Sequence, residues 1–135
     1  MSEGRVNHIG IATLSLDKSE ELWSSLGFSP TNDLSNQEQG VKIRYMEGNG
    51  GTRIELLEPL GDNSPVGRFI DRNGPGVQQI AVNVADIDYT ITELTKIGVR
   101  MVSEDPVIGS EGYRIAFVHP SSAGGVLIEL VESST

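Results

Sequence analysis

The chain has 135 residues, 37% of them hydrophobic, and no cysteine. That is enough chain for one core of ordinary soluble composition, with neither disulfides nor thiolate metal ligands available to it. Lys and Arg total 10 against 19 Asp and Glu, a net charge of −9, which disfavours nucleic acid and anionic membranes and obliges any anionic substrate to find a local cation or a metal.

MSEGRVNH has neither the apolar core of a signal peptide nor the Arg-rich character of a transit peptide, and no apolar run reaches the roughly 18 residues of a membrane span. A cytoplasmic protein is expected. Arg5 to Thr13, RVNHIGIAT, is rich enough in β-branched residues for a strand, with His8 on the face opposite Ile9 and Ile11. Asp17-Lys18-Ser19-Glu20 resembles a capping box, and Leu22, Trp23 and Leu26 follow at helical spacing before Gly27. Ser29 to Gln39 is polar and holds Pro30, Asn32, Asp33, Ser35 and Asn36, the composition of a loop. Val41, Ile43 and Tyr45 then alternate with Lys42 and Arg44, a half-buried strand. Gly48-Asn49-Gly50-Gly51 predicts a tight turn, and TRIELLEP from Thr52 to Pro59 the return strand. The first half therefore reads β-α-β-β, or βαβββ if the polar stretch contributes a strand.

Ser64-Pro65-Val66-Gly67-Arg68-Phe69-Ile70 has an N-cap serine, proline at the first helical position and Gly74 beyond the end, which predicts a short connector helix. The pattern then repeats. VQQIAVNV, Val77 to Val84, echoes the opening strand, and Asp88 to Ile97 echoes the first helix with Ile87, Ile91 and Leu94 on one face. The offset is 79 − 8 = 71 there, and 129 − 55 = 74 in the closing strands, where IEL at 54–56 recurs as IEL at 128–130. Tyr113 to Val118 is the penultimate strand, residues 119–125 a turn, and Val126 to Glu132 the last strand. Two repeats are too few for a solenoid. The expected fold is α+β: a single domain of two tandem βαβββ modules, about 5–60 and 76–132, joined by a helix at about 64–73 and forming a curved mixed sheet around a metal site.

Glu55 and Glu129 each sit within an apolar strand, where a carboxylate must reach solvent or meet a cation because an unpaired buried charge costs several kcal/mol. If the first and last strands of each module converge on a pseudo-symmetry axis, His8, Glu55, Gln79 and Glu129 meet. One imidazole, one amide oxygen and two carboxylates suit Co²⁺, Ni²⁺, Mn²⁺, Mg²⁺ or Zn²⁺. Gln79 is the weakest member, since Gln78 beside it faces the other way.

NHIGIAT, EQGVKI, IELLEPL with SPVGRFI, GPGVQQI, and RIAFVHP through GGVLIELVE resemble the methylmalonyl-CoA epimerases of the vicinal oxygen chelate superfamily, which includes glyoxalase I. The similarity runs over residues 5–132. It implies metal ligands at His8, Glu55, Gln79 and Glu129, a divalent ion with Co²⁺ the first choice, and an acyl-CoA substrate. The implied reaction interconverts the epimers of methylmalonyl-CoA or a similar 2-substituted acyl-CoA by proton abstraction alpha to the thioester, with Glu129 as catalytic proton shuttle. Family practice implies a homodimer. The opposite-face acid is unassigned, Glu38, Glu47 and Glu111 being loop-proximal carboxylates. Two departures stand out: Gln78-Gln79-Ile80 replaces the usual His-His-Ile, and Ser121 stands where relatives often carry Lys. A glyoxalase-like lactoylglutathione lyase, or a non-catalytic small-molecule-binding member of the same fold, are the alternatives. An extradiol dioxygenase fits less well, because its iron wants two imidazoles.

Overall fold

In the computed structural model, which describes residues 3–37 and 39–133, each helix begins where a short polar side chain can hold a free backbone N–H. The Ser15 hydroxyl accepts from Lys18 N at the start of α1 (Leu16–Ser25), Ser64 from Gly67 N at α2 (Pro65–Asn73), and Asp86 from Tyr89 N at α3 (Ile87–Lys96). The box predicted from Asp17 thus starts at the second residue of the helix, and Ser15 is the cap. Gly27 and Gly98 follow α1 and α3 at φ 98° and 89°, the left-handed exit that glycine adopts without a Cβ penalty.

The strands are β1 (Arg5–Ala12), β2 (Ser29–Asn36), β3 (Val41–Glu47), β4 (Arg53–Pro59), β5 (Gly76–Val84), β6 (Val107–Ile108), β7 (Arg114–Val118) and β8 (Leu127–Glu132). The chain divides into two compact units, His8–Gln78 and the residues up to Asn7 with those from Gln79 on. Each holds a four-strand ladder of the same design.

In the first unit the order is β2-β3-β4-β1, with β4 antiparallel to β3 and parallel to β1. Period-2 alternation splits its apolar residues between two layers. Ile9, Ile11, Met46, Ile54 and Leu56 pack with Leu16, Trp23 and Phe28 beneath α1, while Ala12, Val41, Ile43, Tyr45 and Leu57 pack with Val66, Phe69 and Ile70 of α2. Burial of each such large aliphatic side chain is worth about 1.5–3 kcal/mol. The stretch from Ser29 to Asn36, expected as loop, is strand β2. Arg44 of β3 fastens it, donating from Nε and Nη2 to the two carboxylate oxygens of Asp33 at 2.8 Å each, and from Nη1 to Asp17 of α1 at 2.8 Å. The Asp33 carboxyl is accordingly held below its ordinary range, chiefly by the Arg44 hydrogen bonds.

In the second unit the order is β5-β8-β7-β6, with β5 parallel to β8. Val84, Ala116, Val118, Ile128 and Leu130 pack with Ile87, Ile91 and Leu94 of α3. β6 has only two residues and carries no extended alternation, so the βαβββ expectation included it without placing it. The fasteners recur: Arg114 reaches Asp88 at 3.0 Å as Arg44 reaches Asp17. Leu16 N donates to Glu58 of β4 at 3.0 Å, and Ile87 N to Glu132 of β8 at 2.8 Å. The two βαβββ modules thus share their joints as well as their element order.

Candidate active site

Strands β1 and β4 run parallel with Gly10 opposite Glu55, so His8, two residues before Gly10, leaves the sheet on the Glu55 face. Both residues are 4% exposed, and Nε2 of His8 stands 2.9 Å from Oε2 of Glu55. The two atoms lack the alignment of a directed hydrogen bond. On the other flank β3 places Tyr45 directly opposite Glu55, also 4% exposed. Arg53, two residues before Glu55 on the same strand, lays its guanidinium carbon 4.7 Å from the Tyr45 ring centroid. One face of the first unit therefore carries His8, Glu55, Tyr45 and Arg53 as a polar row beside the apolar layer under α2.

The second unit builds the equivalent position. β8 sets Glu129 opposite Ala81 of β5 and Phe117 of β7, the places held by Gly10 and Tyr45 around Glu55. Gln79, paired with Leu127, shares the Glu129 face, and Gln78 alternates to the other. Gln79 and Glu129 are half-buried, beside the small apolar group of Ala81, Ile115, Val131 and Phe117. Of the carboxylates considered for the opposite-face acid, Glu47 and Glu111 are exposed, and Glu38 lies outside the described residues. His119 is structural, its Nδ1 accepting from Ser121 N at 3.0 Å in the turn before β8.

Among the described residues no group of three or more His, Cys, Asp or Glu is arranged as a metal cluster. Candidate donors occur as His8 with Glu55 on one unit and Gln79 with Glu129 on the other. The first pair fits a metal in chemistry and spacing. Two ligands at about 2.1 Å in adjacent positions of an octahedral ion are about 3.0 Å apart, close to the 2.9 Å observed, and neighbouring ligands face the ion rather than each other. On the other unit, Gln79 carries an amide oxygen, a neutral and weaker donor than imidazole. Sequence reading missed Tyr45 and Arg53 because alternation reveals which face a residue takes, not which residue of the next strand it meets. The signal available was parity, since Arg53 and Glu55 are two apart and Tyr45 shares the parity of buried Val41 and Ile43.

Two βαβββ modules, each centring a carboxylate of its last strand against its first, define a vicinal oxygen chelate fold. The description of the Glyoxalase/Bleomycin resistance protein/Dioxygenase superfamily matches residues 7–117. The chain is 37% identical over 131 residues to the mitochondrial methylmalonyl-CoA epimerase of Dictyostelium discoideum, covering 96% of this chain and 78% of that one. The crystal structure of methylmalonyl-CoA epimerase from Mycobacterium tuberculosis superposes with a TM-score of 0.89 at 38% identity, over 99% of this chain and 90% of that one. A variant of the Streptomyces coelicolor methylmalonyl-CoA epimerase in complex with 2-nitronate-propionyl-CoA gives 0.85 at 38% identity, over 97% and 98%. The chain belongs to the methylmalonyl-CoA epimerase family within that superfamily, and is an enzyme of the epimerase class. Among the described residues no helix is long and apolar enough to cross a membrane.

Proposed function

We propose that this chain is a divalent-metal-dependent epimerase of 2-substituted acyl-CoA thioesters, methylmalonyl-CoA foremost, working as one catalytic domain and as a homodimer in the cytoplasm. The observation that carries the metal-dependent reading is the buried His8–Glu55 pair at 2.9 Å. Two titratable groups removed from water in an apolar layer do little for stability by themselves, and their cost is recovered when they hold a cation. His8 through Nε2, Glu55, Gln79 through its amide oxygen, and Glu129 are the proposed ligands. A divalent ion held by them, with Co²⁺ the first choice, would supply Lewis-acid stabilisation of the negative charge that develops on the thioester oxygen.

The remaining chemistry falls to side chains. Glu129 is half-buried beside Ala81, Ile115, Val131 and Phe117, which limits the water around its carboxylate and lets it act as a positioned base toward the alpha proton. Proton return on the opposite face inverts the centre. Glu55 is fixed on β4 between β1 and β3. The substrate class rests on the relatives, among them the Streptomyces coelicolor epimerase complex with an acyl-CoA analogue.

The test is incubation of the purified protein with one epimer of methylmalonyl-CoA in D₂O. Deuterium incorporation at the alpha carbon together with inversion is expected, with turnover lowered at least about tenfold by a chelator and restored by Co²⁺. No exchange and no inversion with Co²⁺, Mn²⁺, Ni²⁺, Mg²⁺ or Zn²⁺ would make the protein a non-catalytic binder. Activity unchanged after verified metal removal would leave an epimerase without metal dependence.

A further inference from the structure

We propose that Asn49 is a modification site of this chain, where attack by the following backbone nitrogen converts the side-chain amide into an aspartate or isoaspartate carboxylate. Asn-Gly is the dipeptide that permits the attack most readily, because glycine sets no Cβ beside its own nitrogen and its backbone turns freely toward the asparagine side chain. The pair occurs twice, as Asn49-Gly50 and as Asn73-Gly74, and both asparagines are exposed. Dipeptide and exposure do not separate the two; hydrogen bonding does.

Asn73 closes α2. Gly74 N donates to Ile70 O at 2.7 Å, and Asn73 Nδ2 donates to Phe69 O at 3.1 Å. Nucleophile and leaving group are both held by the last turn of the helix, and that turn must open locally before they react. Asn49 instead lies at the tip of the β3–β4 hairpin, between Gly48 and Gly50-Gly51, in the short turn that Gly48 N closes on Thr52 O at 2.8 Å. Among the described residues nothing accepts from Gly50 N, and the Asn49 side chain makes no hydrogen bond. Gly50 stands at φ 75° and ψ 17°, and no atom lies within 4 Å of where a Cβ would be, so the tip has room to rearrange.

In the first step Gly50 N bonds to Asn49 Cγ and the Cγ–Nδ2 bond breaks. The proton of Gly50 N passes through water to the departing nitrogen, which leaves as ammonia. Water then opens the cyclic imide at one of its two carbonyls. Opening at Cγ yields aspartate, and opening at the main-chain carbonyl yields isoaspartate, with an extra methylene in the backbone of the hairpin that sets Tyr45 across from Glu55. Either product adds one negative charge to a chain already at −9.

The test holds the purified full chain at mildly alkaline pH and physiological temperature. Peptide mapping by mass spectrometry follows the amide-to-acid mass change at Asn49 and Asn73, and an isoaspartyl methyltransferase assay measures the isoaspartate formed. A parallel incubation in denaturing urea supplies the reference in which neither pair is held by the fold. In the folded chain Asn49 is expected to convert at least about tenfold faster than Asn73, because two hydrogen bonds must open at Asn73 first. In urea the ratio is expected to fall severalfold as Asn73 speeds up. A smaller ratio in the folded chain, no conversion of Asn49 over a period in which the urea sample converts, or a ratio as large in urea as in the folded chain would each overturn the assignment.

Discussion

Gln79 is the neutral member of the proposed ligand set, the one that offers an amide oxygen. An amide oxygen in place of an imidazole nitrogen hardens the proposed donor set and weakens it, which favours Mn²⁺, Mg²⁺ or Co²⁺ over later ions. Gln79→His is expected to tighten Co²⁺ and Zn²⁺ by about tenfold or more in a metal titration, given what one good ligand is typically worth. Equal affinity in variant and parent, with binding abolished by His8→Ala, would remove Gln79 from the ligand set and leave its position to substrate shape. The pairing of His8 with Glu55 was legible in outline. Period-2 alternation put His8 opposite Ile9 and Ile11, and the apolar neighbours of Glu55 implied that its carboxylate needed a partner. Tyr45 and Arg53 were not legible, because their meeting depends on the β3–β4 register that sets Tyr45 across from Glu55.

At the scale of the element, the two modules are held by repeated fasteners more than by repeated sequence. In each module a carboxylate of the last strand takes the first N–H of that module's own helix, Glu58 for Leu16 and Glu132 for Ile87. A negative charge at a helix N-terminus is favourable in addition to the hydrogen bond itself. Glu58→Ala should therefore destabilise the protein by about 1 kcal/mol, as loss of a helix cap does, and lower the thermal midpoint by a few degrees with activity retained per folded molecule. A midpoint within error of the parent would show that water replaces the carboxylate at no cost. The strand β2 teaches the complementary lesson. Ser29 to Asn36 has turn-forming composition throughout, yet pairing with β3 and the Arg44–Asp33 bridge draw it into the sheet, because strand formation answers to neighbours as much as to local preference.

For the molecule as a whole, small size and the general preference for closed two-fold assemblies favour a homodimer. Light scattering at working concentration is expected to give about 29 kDa, twice the 14.5 kDa of the chain; a value of 14.5 kDa would refute it.

The sequence by itself determined the α+β class, the duplication, the caps at Ser64 and Gly74, and the faces taken by His8, Glu55, Gln79 and Glu129. All of these follow from local periodicity, from residues whose backbone preferences are strong, or from the recurrence of IEL at matched positions. Only the tertiary structure decided that β2 is a strand, that Ser15 rather than Asp17 caps α1, that Tyr45 and Arg53 flank Glu55, and that Arg44 and Arg114 serve the two modules alike. The physical reason is that each of these depends on register and on contacts between residues far apart in the chain. An alternating pattern assigns a side chain to a face of its strand, whereas its partner on the next strand is chosen by the packing of the whole sheet.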